Sequence, residues 1–340
     1  MDACEGNSLN LVSVVIPSFN SSLTIENCLR AITATYYKNI EIIVVDDSST
    51  DDSPFKVERM KLDYPITLLR QPANKGPACA RNAGAKIARG EYIFFFDSDT
   101  EMFPDTIELG IREIKRLKAD SIVGIYHLDA LNSGFVPTYK AFFNHIFFSK
   151  KGIIPYEVFD SSRACIKKSV FDELRGFNEN LKWGMDYENE ELGYRLVKKY
   201  KNFLVPAVQV RHHFPGFKKL TRTYFNRVAY WVEIFLERKE FESGGITTSN
   251  IGIGTICIFP ALLLVPFLWH PILFWIAIVF WIGYLKTYAH FFVLCFKNKG
   301  LVDGVTMCGL NMYFSMVISI GALFGLVRNM KRLWISAKVV

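Results

Sequence analysis

No two cysteines in the 340-residue sequence stand in a CxxC spacing, and the seven that occur (Cys4, Cys28, Cys79, Cys165, Cys257, Cys295 and Cys308) are odd in number and scattered. A disulfide framework is therefore not expected, and the thiols read as reduced ones in a chain that faces the cytosol. Met1 to Asn10 has neither a basic flank nor an apolar core, so a cleaved signal peptide is not expected either. Strong charge of one sign is also missing: 40 Lys and Arg against 33 Asp and Glu leave a formal charge of +7. No nucleic-acid-binding signature accompanies the basic residues, and no nucleic-acid partner is expected. They gather beside apolar segments, at Lys218-Lys219, Arg222, Arg227, Lys297, Lys299 and the tail Arg328-Asn329-Met330-Lys331-Arg332. That placement suits anionic lipid headgroups.

What is present in excess is apolar and aromatic: 50% of residues are hydrophobic and 15% aromatic. The longest apolar runs lie in the last third, at 251–269, 271–296 and 305–327. Each approaches or exceeds the roughly 20 residues that span the hydrocarbon of a bilayer. The first two are expected to cross, with His270-Pro271 as the turn between them and Lys297 and Lys299 on the cytoplasmic side. The third is a crossing, a re-entrant hairpin or an interfacial helix, since a crossing carries the basic tail outside. Gly321 and Gly325 form a GxxxG pair suited to close helix packing, within one chain or between two copies in a homo-oligomer. Ahead of these runs, Leu220, Tyr224, Val228, Trp231 or Val232, and Phe235 recur at helical spacing between basic residues, as in a helix lying in a membrane interface. The chain thus divides into 1–215, an interfacial helix over 216–245, and a membrane domain over 246–340 with two to three spans.

The first part alternates apolar runs of strand length with helical stretches. Strands are expected at 11–16, 41–45, 66–69 and 92–96, and helices at 24–35 and 77–88. Alternation of this kind argues for an α/β fold with a mostly parallel, doubly covered sheet, whose ligands sit outside the carboxyl ends of the strands. Polar clusters fall at those ends: Asn20, Asp46-Asp47, then Asp97 and Asp99. Farther on, 163–166 reads as a strand, 186–200 as a helix and 202–210 as a closing strand pair.

Asp97-Ser98-Asp99 follows directly on the apolar run Tyr92 to Phe96. Two carboxylates at i and i+2, leaving a buried strand, can face one pocket, and hard oxygen ligands suit Mg²⁺ or Mn²⁺ bridging to phosphates. Around this DxD lie Val12-Ser13-Val14-Val15-Ile16-Pro17-Ser18-Phe19-Asn20 and Val44-Val45-Asp46-Asp47-Ser48-Ser49-Thr50-Asp51. Then come Asn74 to Ala78, Ala80-Arg81-Asn82-Ala83-Gly84 and Ala88-Arg89-Gly90-Glu91-Tyr92, and later Arg175-Gly176-Phe177-Asn178-Glu179. In this order, over about residues 11 to 215, they resemble the motifs of the family 2 glycosyltransferases. The Arg175 element departs from the family's Gly-Gly-Phe-Asp-Glu by Arg and Asn.

The resemblance implies a GT-A fold, a nucleoside diphosphate sugar as donor (a uridine ahead of a guanosine diphosphate sugar), and inversion at the anomeric carbon. It places Pro17, Asn20 and Ser98 at the donor, Asp46 on the nucleotide base, Arg81 on the nucleotide and Asp97 near ribose and metal. Asp99 becomes the principal ligand of Mn²⁺ or Mg²⁺, and His212, following the strand-like 207–210, a further ligand. The general base is expected in Asp186-Tyr187-Glu188-Asn189-Glu190. Register counted from Arg195 selects Asn189, which cannot accept a proton; register counted from Gly176-Phe177 selects Asp186, with Glu188 second. The donor site joined to membrane segments implies a lipid or lipid-linked acceptor. A polyprenyl-phosphate transferase is the alternative, although Asn74 to Ala78 does not resemble that branch. A polysaccharide synthase is less well matched, because Asn226 to Trp231 only faintly echoes its Gln-X-X-Arg-Trp.

Overall fold

The computed structural model describes residues 10–61, 63–181, 187–239 and 249–337. These residues form two compact units. One takes in the described residues of 10–132, 148–181 and 188–213, and the other 133–147, 187 and the described part of 214–337.

The first unit is built on one sheet. In chain order its elements are β1 (Val12–Ser18), α1 (Ile25–Thr33), β2 (Ile40–Asp46), α2 (Ser53–Arg59), β3 (Ile66–Arg70), α3 (Pro77–Ile87), β4 (Tyr92–Phe96), β5 (Thr100–Met102), α4 (Thr106–Leu117) and β6 (Ser121–Tyr126). After α5 (Phe135–Ser149), which starts in the second unit, follow β7 (Ile154–Pro155), β8 (Arg163–Lys167), α6 (Lys168–Glu173), α7 (Glu188–Val197) and β9 (Asn202–His212). The strand order is β3-β2-β1-β4-β8-β6-β9-β5, with β7 also on β9.

The parallel pairs β3-β2, β2-β1 and β1-β4 are those the alternating pattern predicts. Beyond β4 the sheet is mixed: β8 runs antiparallel to β4 and β6, and β5 and β7 antiparallel to β9. Both faces of β4 are covered, which is why its five residues are all apolar. Phe94 and Phe96 stack on one face with centroids 4.6 Å apart, and Phe95 meets Phe159, Phe171 and Phe177 on the other. The expected closing strand pair is instead one 11-residue strand, β9. Its register against β6 jumps between Val123↔Leu204 and Ile125↔Gln209. Pro206, which has no N–H to donate, sits inside that irregularity.

The second unit is helical: α5, α8 (Phe217–Arg238), α9 (Ser249–Ile256), α10 (Ile258–Leu263) and α11 (Pro271–Ala337). The run 251–269 is not one continuous helix. Pro260 lies inside it, and a 3₁₀ turn at Val265–Phe267 follows α10. Its helical stretch, Ile251–Leu263, is 13 residues long, short of a bilayer at about 1.5 Å per residue. Among the described residues one helix is long and apolar enough to cross a membrane, Pro271–Met330.

That helix is broken at Gly300, whose φ of 79° and ψ of −174° belong to no helix. Side chains on either side of the break meet in antiparallel order. Tyr284 Oη donates to Asn311 Oδ1 at 2.6 Å, and a Cβ on Gly304 would lie 2.6 Å from the Phe296 ring. The two arms are therefore a hairpin with Gly300 at its turn. The second arm runs beside α8: Phe217 packs on Tyr313, and Phe225 on Phe324. Gly321 and Gly325 provide that contact, since added Cβ atoms would stand 2.6 Å from the Phe225 carbonyl oxygen and 2.7 Å from that of Ala229. The GxxxG pair is thus occupied within the chain.

Candidate active site

The strand ends of the first unit carry the polar residues singled out in the sequence. Asn20 closes β1 in a left-handed conformation, φ 50°, and its Oδ1 accepts from the Thr50 and Asp51 amides at 2.8 and 3.3 Å. Its side chain therefore ties the loop after β1 to the loop after β2. Pro17, on β1, pairs in register with Val45. Asp46, at the end of β2, is buried and accepts from the Ser49 amide at 3.3 Å. The neighbouring Asp47 accepts from the Lys75 and Gly76 amides at 2.9 and 2.7 Å. Asp47 thereby fixes the turn into α3, a structural role the sequence reading did not assign.

From α3, the buried Arg81 points to the end of β4 and donates from Nη2 to Asp97 Oδ1 at 2.8 Å. Its Nη1 lies 3.6 Å from Glu188 Oε1, at the start of α7. Arg81 Nε and Nη1 are buried and make no hydrogen bond to any described residue, Nη1 having the Glu188 carboxylate as its nearest charge. Asn189 turns elsewhere; its Oδ1 accepts from the Ser161 amide at 3.3 Å. Asp186 lies outside the described residues. The turn after α6 is held from both sides. Asn82 accepts from the Phe177 amide and donates to its carbonyl, both at 2.9 Å, and Arg195 Nη2 donates to Gly176 O at 2.8 Å.

Asp97, Asp99 and His212 come together, each offering one ligand atom, and these atoms all lie within 4.8 Å of one another. The pairing Thr100↔His212 between β5 and β9 brings the histidine there, and the His213 amide donates to Asp99 O at 2.9 Å. His212 Nε2 stands 3.3 Å from Asp99 Oδ1. Burial pushes the Asp99 carboxyl above its ordinary range, as does the charge of Asp97, while His212 acts the other way. Two carboxylates and an imidazole whose ligand atoms lie this close fit a small divalent metal. Ser98, between the two aspartates, is half-buried. Behind them the Cys28 thiol approaches Asp97 O at 3.6 Å; burial and the nearby carboxylates raise its pKa far above the ordinary thiol value.

Residues 13–174 match the family model described as glycosyl transferase family 2. Glycosyltransferase GlyG of Streptococcus pneumoniae serotype 4 is 37% identical over 118 residues, 34% of this chain and 39% of GlyG. The UDP-Glc:alpha-D-GlcNAc-diphosphoundecaprenol beta-1,3-glucosyltransferase WfaP of Escherichia coli is 44% identical over 91 residues, 27% of this chain and 36% of WfaP. The matched stretch thus spans less than half the length of either relative. Among solved structures, the mannosyltransferase PcManGT from Pyrobaculum calidifontis, in complex with GDP-Man and Mn²⁺, superimposes with a TM-score of 0.58. Its identity is 18%, over 94% of this chain and 86% of that one, a likeness of fold.

Proposed function

Because the chain carries a family 2 glycosyltransferase domain over residues 13–174 on a GT-A fold, we propose that it moves a sugar from a nucleoside diphosphate sugar to a lipid or lipid-linked acceptor, with inversion, at the cytoplasmic face of a membrane. The observation that carries the reading is the meeting of Asp97, Asp99 and His212 within 4.8 Å at the ends of β4 and β9. These three would hold Mn²⁺ or Mg²⁺, which when bound offsets the charge of the departing diphosphate.

The remaining roles belong to the chain's own groups. Asp46 accepts from the donor's base, with a uridine nucleotide favoured, and Pro17, Asn20 and Ser98 shape the pocket. Arg81 offers its guanidinium charge to a phosphate oxygen and, through its bond to Asp97, keeps that carboxylate in place. Asp186 takes the proton of the acceptor hydroxyl, with Glu188, beside Arg81, as the second candidate. A relative whose name specifies a diphosphoundecaprenol-linked acceptor supports a lipid-linked substrate. So does the apolar hairpin of α11, which exposes Trp275 and Val279, each at 66%, and Ile282 at 57%. Surfaces of that kind call for lipid.

The test supplies membranes holding the full chain with a panel of labelled sugar nucleotides and lipid extract. Label is expected in the lipid phase with one donor, and none with Asp99→Ala. Equal lipid labelling by wild type and Asp99→Ala sinks the proposal. Transfer that survives Asp186→Asn combined with Glu188→Gln assigns an acceptor that is already anionic, such as a polyprenyl phosphate.

A further inference from the structure

Arg163 is among the largest fully buried side chains, with 2% of its surface exposed, although it opens a strand whose next residues are Ala164, Cys165 and Ile166. A buried guanidinium is costly unless its N–H groups are met, and here several are. Nε donates to Gly124 O at 2.8 Å, and Nη1 donates to Ser162 Oγ at 3.0 Å. Nη1 is also 2.7 Å from Asp160 Oδ2. The guanidinium carbon lies over the Tyr126 ring, 3.9 Å from its centroid. The Tyr126 hydroxyl is hydrogen-bonded to Ser162 Oγ at 2.7 Å, and Ser162 Oγ donates to Asp160 Oδ1 at 2.8 Å. The tyrosine is thus fixed at its hydroxyl and on its ring. That ring meets the imidazole of His212 edge-to-face, with centroids 5.0 Å apart at 69°.

We infer that Arg163 and Tyr126 are positioning residues for His212: the stacked guanidinium fixes the Tyr126 ring, and the ring fixes the rotation of the imidazole that keeps Nε2 directed at Asp99. The inference rests on the reading of Asp97, Asp99 and His212 as a cation site. An aliphatic residue at 163 would fill the same core without the fork of donors. Lysine would supply charge but neither a planar stack nor several fixed N–H groups. Outer partners of a metal-binding histidine set its orientation, and losing one weakens metal affinity about 10-fold to 100-fold.

The experiment measures Mn²⁺ dissociation constants of the full chain in detergent, without donor, from the EPR signal of free Mn²⁺. Tyr126→Leu and Arg163→Lys each raise the constant about 10-fold, whereas Tyr126→Phe, which keeps the ring, stays within about twofold of wild type. Each loss is then measured again in a His212→Ala background, where neither substitution has a further effect, because the group they position is gone. If the same loss appears with and without His212, or if folded Tyr126→Leu and Arg163→Lys both bind Mn²⁺ like wild type, the inference is overturned. Should one of the two variants not fold, the cycle with the other decides. Wild-type binding no tighter than that of Asp99→Ala withdraws the cation reading itself, an outcome distinct from additive losses in a protein that does bind Mn²⁺.

Discussion

Asp99 shows how one side chain sets a pH dependence. Burial and the Asp97 charge raise its carboxyl above the ordinary range, so the folded protein binds that proton more tightly than the unfolded chain does. The apoprotein therefore gains stability as pH falls through the raised value toward the ordinary one, and the ionised form, which a cation needs, is lost over the same window. Mn²⁺ affinity is expected to begin falling on acidification at a pH above the usual carboxylate value of about 4, read by titration between neutral and mildly acid pH. Asp99→Asn is expected to leave the apoprotein's melting temperature at neutral pH unchanged or higher while abolishing tight Mn²⁺ binding. A lowered melting temperature would contradict the electrostatic account. Asp47 makes the opposite case: Asp47→Ala leaves the Lys75 and Gly76 amides without their acceptor and should cost about 2–3 kcal/mol, seen in denaturant unfolding. Asp97 and Asp99 were legible in the sequence because two carboxylates follow an apolar run directly. Arg163 and Tyr126 were not, because a lone arginine at the head of an apolar strand carries no spacing that tells a buried stack from a strand edge.

At the scale of elements, the parallel half of the sheet was readable from short β-branched runs separated by helices. Of the antiparallel half, β8 was readable at 163–166 and β9 as a strand pair over 202–210, but β5 and β7 were not. β5 has three residues and β7 two, too few for a period to show, and β9 hides its continuity behind Pro206. In the second unit, apolar length alone suggested two to three spans. It could not show that Gly300 reverses the chain, nor that Gly321 and Gly325 seat α8. Arg328 reinforces that seat: Nη2 donates to Ala229 O and to Glu233 Oε2, both at 3.1 Å, with its guanidinium over the Tyr230 ring. Gly325→Leu should separate the two helices at a cost of about 1–3 kcal/mol, and a thermal scan in detergent would show the melting point fall. An unchanged melting point, with new dimers on cross-linking, would mean the glycine face is open to a second copy.

At the scale of the whole molecule, one chain carries both the sheet ends proposed to bind the donor and an apolar hairpin that water does not suit. Replacing Trp275, Val279 and Ile282 together by Lys puts charge on that hairpin, at about 2.5–3.5 kcal/mol per residue at mid-bilayer. The triple variant is expected to leave membranes on an alkaline carbonate wash that retains the wild type; equal retention would remove lipid from the account of this surface. All of it depends on a cation held where β4 and β9 end. The most direct measurement is pulsed EPR of Mn²⁺ on the full chain with a uridine diphosphate sugar. Modulation from one directly bound imidazole nitrogen is predicted for wild type, lost in His212→Ala, with no bound Mn²⁺ at all in Asp99→Ala. Bound Mn²⁺ without a nitrogen ligand, or binding undiminished by Asp99→Ala, would contradict it.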